Sequence, residues 1–180
     1  VLYLPGLVYE AMVRARNGLY AASLLPQERL NGPVLSVGNI TMGGTGKTPL
    51  VLYIAQMLLR LGYPPAVLTR GYGRVAPDKV RIVAPGDVVP SPARILGDEP
   101  ALIRRHAPEA FLGIAPNRLL AGELIARRLP HPVFILDDGF QHRRLRRDLD
   151  IVVVDGSRSL RADRMFPRGI LREPLSGLRR

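Results

Sequence analysis

The sequence of 180 residues has no cysteine and no tryptophan, and only two of its 26 basic side chains are lysines. Without cysteine there is no disulfide framework, no thiolate metal site and no cysteine nucleophile, a usage that fits a reducing compartment. Nowhere do apolar residues run uninterrupted for the roughly 18–20 positions that a membrane-spanning helix needs. The apolar first 25 residues are broken by Glu10, Arg14 and Arg16 and lack the basic-then-apolar-then-small order of a secretory signal, so neither a span nor export is expected. Aromatic residues are sparse and no nucleic-acid-binding module is recognisable, so nucleic acid is not an expected partner.

What is present is an apolar fraction of 47%, enough for one substantial core, and a formal charge of +11. Arginine, alanine and proline richness together can follow genome composition, but the charge is also unevenly placed. From Phe140 to Arg180 there are 11 Arg against 5 acids, which is +6 of the total. Such a surface suits a phosphorylated substrate, an anionic membrane or nucleic acid, and charge alone does not choose among them.

Hydrophobic periodicity gives the outline. Leu4, Val8, Met12, Ala15, Leu19 and Ala22 recur at helical spacing, predicting a helix over Val8–Leu25 that stops before Pro26. Short, mostly continuous apolar runs predict strands at Val34–Val37, Ala66–Thr69, Val80–Val83, Phe111–Ile114, Val133–Leu136 and Ile151–Val154. Helices are predicted at Lys47–Leu61, Glu99–His106 and Asn117–Arg128. Strands alternating with helices imply an α/β fold with a doubly wound, mainly parallel sheet, whose ligands sit at the carboxyl ends of the strands.

Five motifs fall near that edge. In TMGGTGKT the residues Thr41, Met42, Gly43, Gly44, Thr45, Gly46, Lys47 and Thr48 fill the window of a phosphate-binding P-loop, with Thr41 at the position usually held by the first glycine. Backbone N–H groups would cradle phosphates, Lys47 would reach the β/γ-phosphates and the Thr48 hydroxyl would bind Mg²⁺. The run VFILDDG ends a strand in Asp137 and Asp138, the arrangement in which a carboxylate holds Mg²⁺; a turn capped by the two carboxylates is the plainer alternative. Asp98 and Glu99 open a helix, where they read equally as N-terminal caps or as a general base. In RGYGR, Arg70 and Arg74 can grip an anion and Tyr72 can pack a sugar face, or the segment is only a tight turn. Gln141, His142 and the arginines after them form either a solvated basic loop or a set of anion contacts.

In this order, GNITMGGTGKTPLV, RGYGR, GDEP, LDDGFQHRRLRRDLDIVVVD and RGILREP resemble the tetraacyldisaccharide 4′-kinase family, the lipid A 4′-kinases, from Pro33 to Pro174. The N-terminal YLPGLVYEAMVRARNGLY also looks like the leading helix of that family. The resemblance implies a P-loop NTPase-type fold and transfer of the γ-phosphate of ATP to the 4′-hydroxyl of a tetraacyldisaccharide 1-phosphate, at the cytoplasmic face of the inner membrane. It implies ATP and Mg²⁺ as cofactors, Lys47 and Asp98 as catalytic residues, and Thr48, Asp137 and Asp138 at the metal. Substrate contacts are implied for Arg70, Tyr72, Glu99, Arg118, Gln141 and His142. Residues 1–30 are expected to form an amphipathic membrane-contact helix and residues 31–180 the P-loop kinase domain. Family members continue past LREP into a smaller C-terminal domain, so the chain is expected to represent the N-terminal domain of such a kinase. A membrane-associated switch ATPase of the MinD/ParA type is the alternative, but it carries a lysine where Met42 stands.

Overall fold

The computed structural model describes residues 3–76, 79–157, 159–160 and 163–179. Its elements in chain order are α1 (Tyr3–Ala21), β1 (Val34–Gly38), α2 (Lys47–Arg60), β2 (Pro65–Thr69), β3 (Arg81–Val83), α3 (Pro92–Leu96), α4 (Asp98–His106), β4 (Phe111–Ile114), α5 (Arg118–Ala126), β5 (Val133–Asp137) and β6 (Leu149–Val152), followed by a 3₁₀ turn at Leu175–Arg179. The six strands form one sheet in the order β3-β4-β2-β5-β1-β6, parallel except for β3 against β4. Among the described residues no helix intervenes between Thr69 and Arg81 to return the chain across the sheet, and β3 runs back from the edge where β2 ends.

The strands read as unbroken apolar runs because both faces are covered. Val37, Val67, Leu112 and Ile135 point to the face covered by α2 and α4, where they meet Val51, Ile54, Ala55 and Ile103. Their neighbours Val34, Leu68, Phe134 and Leu136 point to the other face, against Leu119 and Ile125 of α5. This is the period-two alternation of a strand with two buried sides.

The expected elements are all present, with shifted ends. α1 begins earlier than its periodicity suggests because Pro5 sits in the first turn, where the missing N–H has no partner to lose. β6 starts at Leu149 rather than Ile151 because its register is set by β1, Leu35 facing Leu149 and Gly38 facing Val152. Past Val152 the Val153 N–H still donates to the Gly38 carbonyl, where β1 ends. The five-residue helix α3 was not expected from sequence, since its apolar residues are too few to show a period.

α1 packs with the face opposite its apolar stripe. Gly6 and Val13 are buried, with Val13 in a small cluster beside Ile40, Phe140, Met165 and Leu171. Polar groups do much of the attachment: Arg16 and Asn17 both donate to the carboxylate of Glu173 at 2.6 Å, a side chain with 0% exposure. Tyr9 Oη donates to the Arg172 carbonyl at 3.2 Å. The stripe Leu4, Val8, Met12 and Leu19 faces outward instead, with Leu4 70% and Met12 60% exposed.

Candidate active site

The carboxyl ends of β1, β2, β4 and β5 deliver their loops to one edge. Val37 pairs with Asp137 and Leu68 with Leu136, so the glycine loop, the RGYGR loop and the acidic pair become neighbours. The loop from Gly43 to Gly46 then runs into the N-terminus of α2 at Lys47. Gly43 has φ 105 and Gly46 φ 79, left-handed values that a side chain would strain. A Cβ at Gly43, Gly44 or Gly46 would meet nothing within 4 Å, so the concave side of the loop is open. Backbone donors and the positive end of a 14-residue helix converge on that opening, a ready anion site.

The loop is held from behind. Asn39 Nδ2 donates to Thr45 Oγ1 at 3.0 Å, and Gln141 Nε2 donates to the Asn39 carbonyl at 2.8 Å. On its far side the RGILREP segment pairs with it: the Met42 N–H donates to the Ile170 carbonyl and the Arg172 N–H to that of Ile40. Thr41 is buried against Leu171 and stands behind the phosphate-facing part of the loop.

A cleft of about 450 Å³ opens in front of the loop, lined among others by Lys47, Thr48, Tyr72, Glu99, Asp138 and Arg172. Beside it a second cleft of about 260 Å³ is lined by Tyr9, Arg70, Arg118, Gln141 and His142. The two share Tyr72, Asp138 and Arg172 at their junction. Asp138 takes φ 51, and its carboxylate lies 3.5 Å from Lys47 Nζ and 3.1 Å from Arg172 Nη1. Glu99 lines the first cleft, whereas Asp98, one residue earlier at the start of α4, is exposed and lines neither.

Asp137 is only 2% exposed, and one of its oxygens, Oδ2, is buried without a partner. Desolvation, then the charges of Glu99 and Asp138, raise its carboxyl from 3.8 to about 6, against a hydrogen bond from Thr69 and the charge of Lys47. A cation would relieve both the orphaned oxygen and the crowding of three negative groups. No cluster of three or more His, Asp or Glu side chains set to hold a metal occurs among the described residues. Asp137 and Asp138 at the end of β5, beside the glycine loop, suit Mg²⁺, which takes one or two carboxylates and completes its shell with phosphate oxygens and water. The residues present therefore fit a nucleotide-bound Mg²⁺ better than a free-standing metal site.

The second cleft is basic but holds a neutral imidazole. His142 is pushed down to about 4 by burial, then by Arg118, Arg147 and Arg144. Arg118 is itself buried and donates to the Pro116 carbonyl at 3.2 Å. Arg70 lies 5.0 Å from the Tyr72 ring centroid and donates to its hydroxyl at 2.9 Å, forming a flat polar wall. Arg74, which the motif groups with Arg70 as an anion contact, turns inward and donates to the Lys79 carbonyl. Two lining residues carry no sequence signal for their role. Tyr9 arrives from α1 across the whole chain, and Arg172 stands in a motif whose order along the chain does not reveal its contact with Asp138.

The comparisons with known proteins agree with this geometry. The sequence profile described as LpxK, tetraacyldisaccharide-1-P 4′-kinase, matches residues 1–180. The chain belongs to that family. A tetraacyldisaccharide 4′-kinase of Geobacter sulfurreducens is 44% identical over 180 residues, which are 100% of this chain and 51% of that protein. One from Syntrophus aciditrophicus is 47% identical over 169 residues, 93% of this chain and 45% of the other. Among solved structures, the "apo" form of LpxK from Aquifex aeolicus in complex with ATP superposes with a TM-score of 0.89 at 38% identity, over 99% of this chain and 55% of that one. The chain thus spans about half the length of these relatives and carries the family's P-loop-type α/β sheet. Among the described residues no helix is long and apolar enough to cross a membrane.

Proposed function

We propose that this chain forms the ATP-binding part of a tetraacyldisaccharide 4′-kinase, which moves the γ-phosphate of ATP to the 4′-hydroxyl of a tetraacyldisaccharide 1-phosphate to give lipid IVA. The observation that carries this reading is the junction of the two clefts. A phosphoryl group cradled by the glycine loop would face Asp138 and Arg172, the same residues that border the neighbouring basic cleft. Donor and acceptor pockets meeting at shared side chains are what in-line transfer requires.

The roles follow from position. Loop N–H groups and Lys47 hold the β- and γ-phosphates, and Thr48 with Asp137 and Asp138 would hold Mg²⁺. Bound there, the cation would draw charge from the phosphate oxygens as the γ-phosphoryl group departs. Arg172 sits beside the transferring group and supports its charge from the other side. Arg118 and Arg70 present donors to the acceptor, His142 offers a neutral ring nitrogen, and Tyr72 a face for sugar packing. Asp98 is assigned from the GDEP motif, not from its position, as the base that takes the proton of the acceptor hydroxyl. Its exposure requires that the bound substrate, or further chain of the whole protein, bring that proton to it.

The outward stripe of α1 supports a peripheral position on the cytoplasmic face of the inner membrane. Leu4, Leu7, Val8, Met12, Ala15 and Leu19 are exposed while the polar Arg16 and Asn17 turn toward the protein. A helix lying in the headgroup layer presents such a face, and would bring a lipid acceptor to the strand ends without extracting it into water. Tyr9 at the second cleft is the point where this helix and the acceptor meet.

The test uses the full-length enzyme containing this chain, labelled ATP and the disaccharide in detergent micelles. Arg172→Ala should lower turnover by about 10²-fold or more, the scale of losing one donor to developing charge, with the melting temperature nearly unchanged. Asp98→Asn should lower turnover by a similar factor. Full transfer in both variants would overturn the site assignment.

A further inference from the structure

Next to α1 lies a groove that phosphoryl transfer does not use. It encloses about 270 Å³ and is lined by Arg14, Gly18 and Ala21 of the helix, and by Arg143, Pro174 and Gly177 of the body. None of its lining residues belongs to either cleft of the active site. Its volume suits a headgroup rather than a whole lipid.

Its chemistry is that of an anion site. The Arg143 guanidinium lies 5.4 Å from the Tyr20 ring centroid, and one Nη donates to the Asn17 carbonyl at 3.3 Å. Its Nε is buried with no partner. Arg14 pairs with Glu10 at 2.7 Å but keeps over half of its side chain exposed, with donors to spare. Arg147, itself paired with Asp150, and Arg16, paired with Glu173, add positive charge beside Arg143, and the Glu173 carboxylate that opposes them there is committed to Arg16 and Asn17. Gly18 leaves the wall open, since a Cβ there would meet nothing within 4 Å.

Position selects the occupant. Arg14 and Gly18 are one turn apart, and with Leu7, Ala11 and Ala15 they adjoin the exposed apolar stripe. A ligand entering from that side has its apolar part along the stripe and its charge in the groove. We propose that the groove binds the phosphate-bearing headgroup of an anionic phospholipid in the membrane surface, with Arg14 and Arg143 as the phosphate donors. This rests on the reading of α1 as a membrane-contact helix, and it adds a lipid preference which that reading alone does not contain.

The experiment is flotation of the chain with vesicles of phosphatidylcholine alone and with added phosphatidylglycerol. Wild type should bind both and favour the anionic vesicles. Arg143→Gln should reduce that preference by about fivefold, the effect of one well-placed arginine at a membrane surface. Gly18→Leu changes no charge and fills the groove. It should keep or raise binding to phosphatidylcholine while losing the anionic excess. Arg128→Gln, an exposed arginine just past α5, should change the preference by less than about twofold. If Gly18→Leu and Arg143→Gln keep the preference of wild type, the attraction is diffuse and the groove is not a site. Equal flotation of wild type on both compositions overturns the groove and leaves the membrane reading of α1 standing. No flotation on either overturns both.

Discussion

α1 and α2 are both amphipathic helices of this chain, and they use their two faces in opposite ways. α2 turns Val51, Ile54, Ala55 and Leu58 onto the sheet and leaves Tyr53 and Arg60 outside. α1 turns Arg16 and Asn17 inward to a buried glutamate and leaves Leu4, Val8 and Met12 outside. A hydrophobic stripe therefore identifies a helix but not what will cover the stripe. In α2 burial of the stripe contributes folding energy; in α1 much of the attachment is polar and the stripe remains available.

The sharpest way to break this contrast is to trim one side chain from each stripe. Ile54→Ala should destabilise the chain by about 2–5 kcal/mol through lost burial and a cavity, whereas Met12→Ala should stay within about 0.5 kcal/mol, as an exposed position does. Urea denaturation measures both. Comparable losses at the two positions would mean that the α1 stripe is covered in solution.

The polar attachment of α1 makes the next prediction. Arg16→Ala removes the ion-pair partner of a fully buried carboxylate, which should cost about 3 kcal/mol, the lower end of the range for a broken buried pair because Arg16 is partly exposed. Arg16→Lys should recover part of this. If Arg16→Ala is as harmless as Met12→Ala, α1 is not held by Glu173.

The cleft bordered by Tyr9 of α1 supplies a pH signature. Folded His142 titrates at about 4 against 6.5 unfolded. Between those values the unfolded chain binds the extra proton, so this group removes stability as pH falls from about 6.5 toward 4. Asp137, raised from 3.8 to about 6, acts in the opposite sense: its contribution is full below 3.8 and lost as pH rises through 6. His142→Gln should therefore lose about 1–2 kcal/mol less than wild type between pH 7 and 5, read from denaturation at each pH. Parallel pH profiles would show that the ring is solvated in the folded chain.

The parts legible in the sequence are those fixed locally. The phosphate loop is spelled by Gly43, Gly44, Gly46 and Lys47 between a strand and a helix, and the buried strands by apolar runs such as Val133–Leu136. The acidic pair was visible because a strand that ends in two carboxylates is unusual without a cation nearby. What stayed hidden depends on distant pairing. The antiparallel sense of β3 lies in its pairing with β4, and the start of β6 in its register with β1. The junction residue Arg172 reaches Asp138 only because Ile170 and Arg172 pair with the loop at Ile40 and Met42. Periodicity found the stripe of α1 but could not see that Glu173, more than 150 residues later, would claim the opposite face.

Calorimetric titration of the chain with ATP, with and without Mg²⁺, tests the central claim that the loop after β1 holds nucleotide phosphates beside a cation on Asp137 and Asp138. Binding should depend on Mg²⁺, and Lys47→Ala should weaken it by about 10–100-fold, the worth of charge-assisted bonds to phosphate, at an unchanged melting temperature. Equal ATP affinity in wild type and Lys47→Ala would contradict the account.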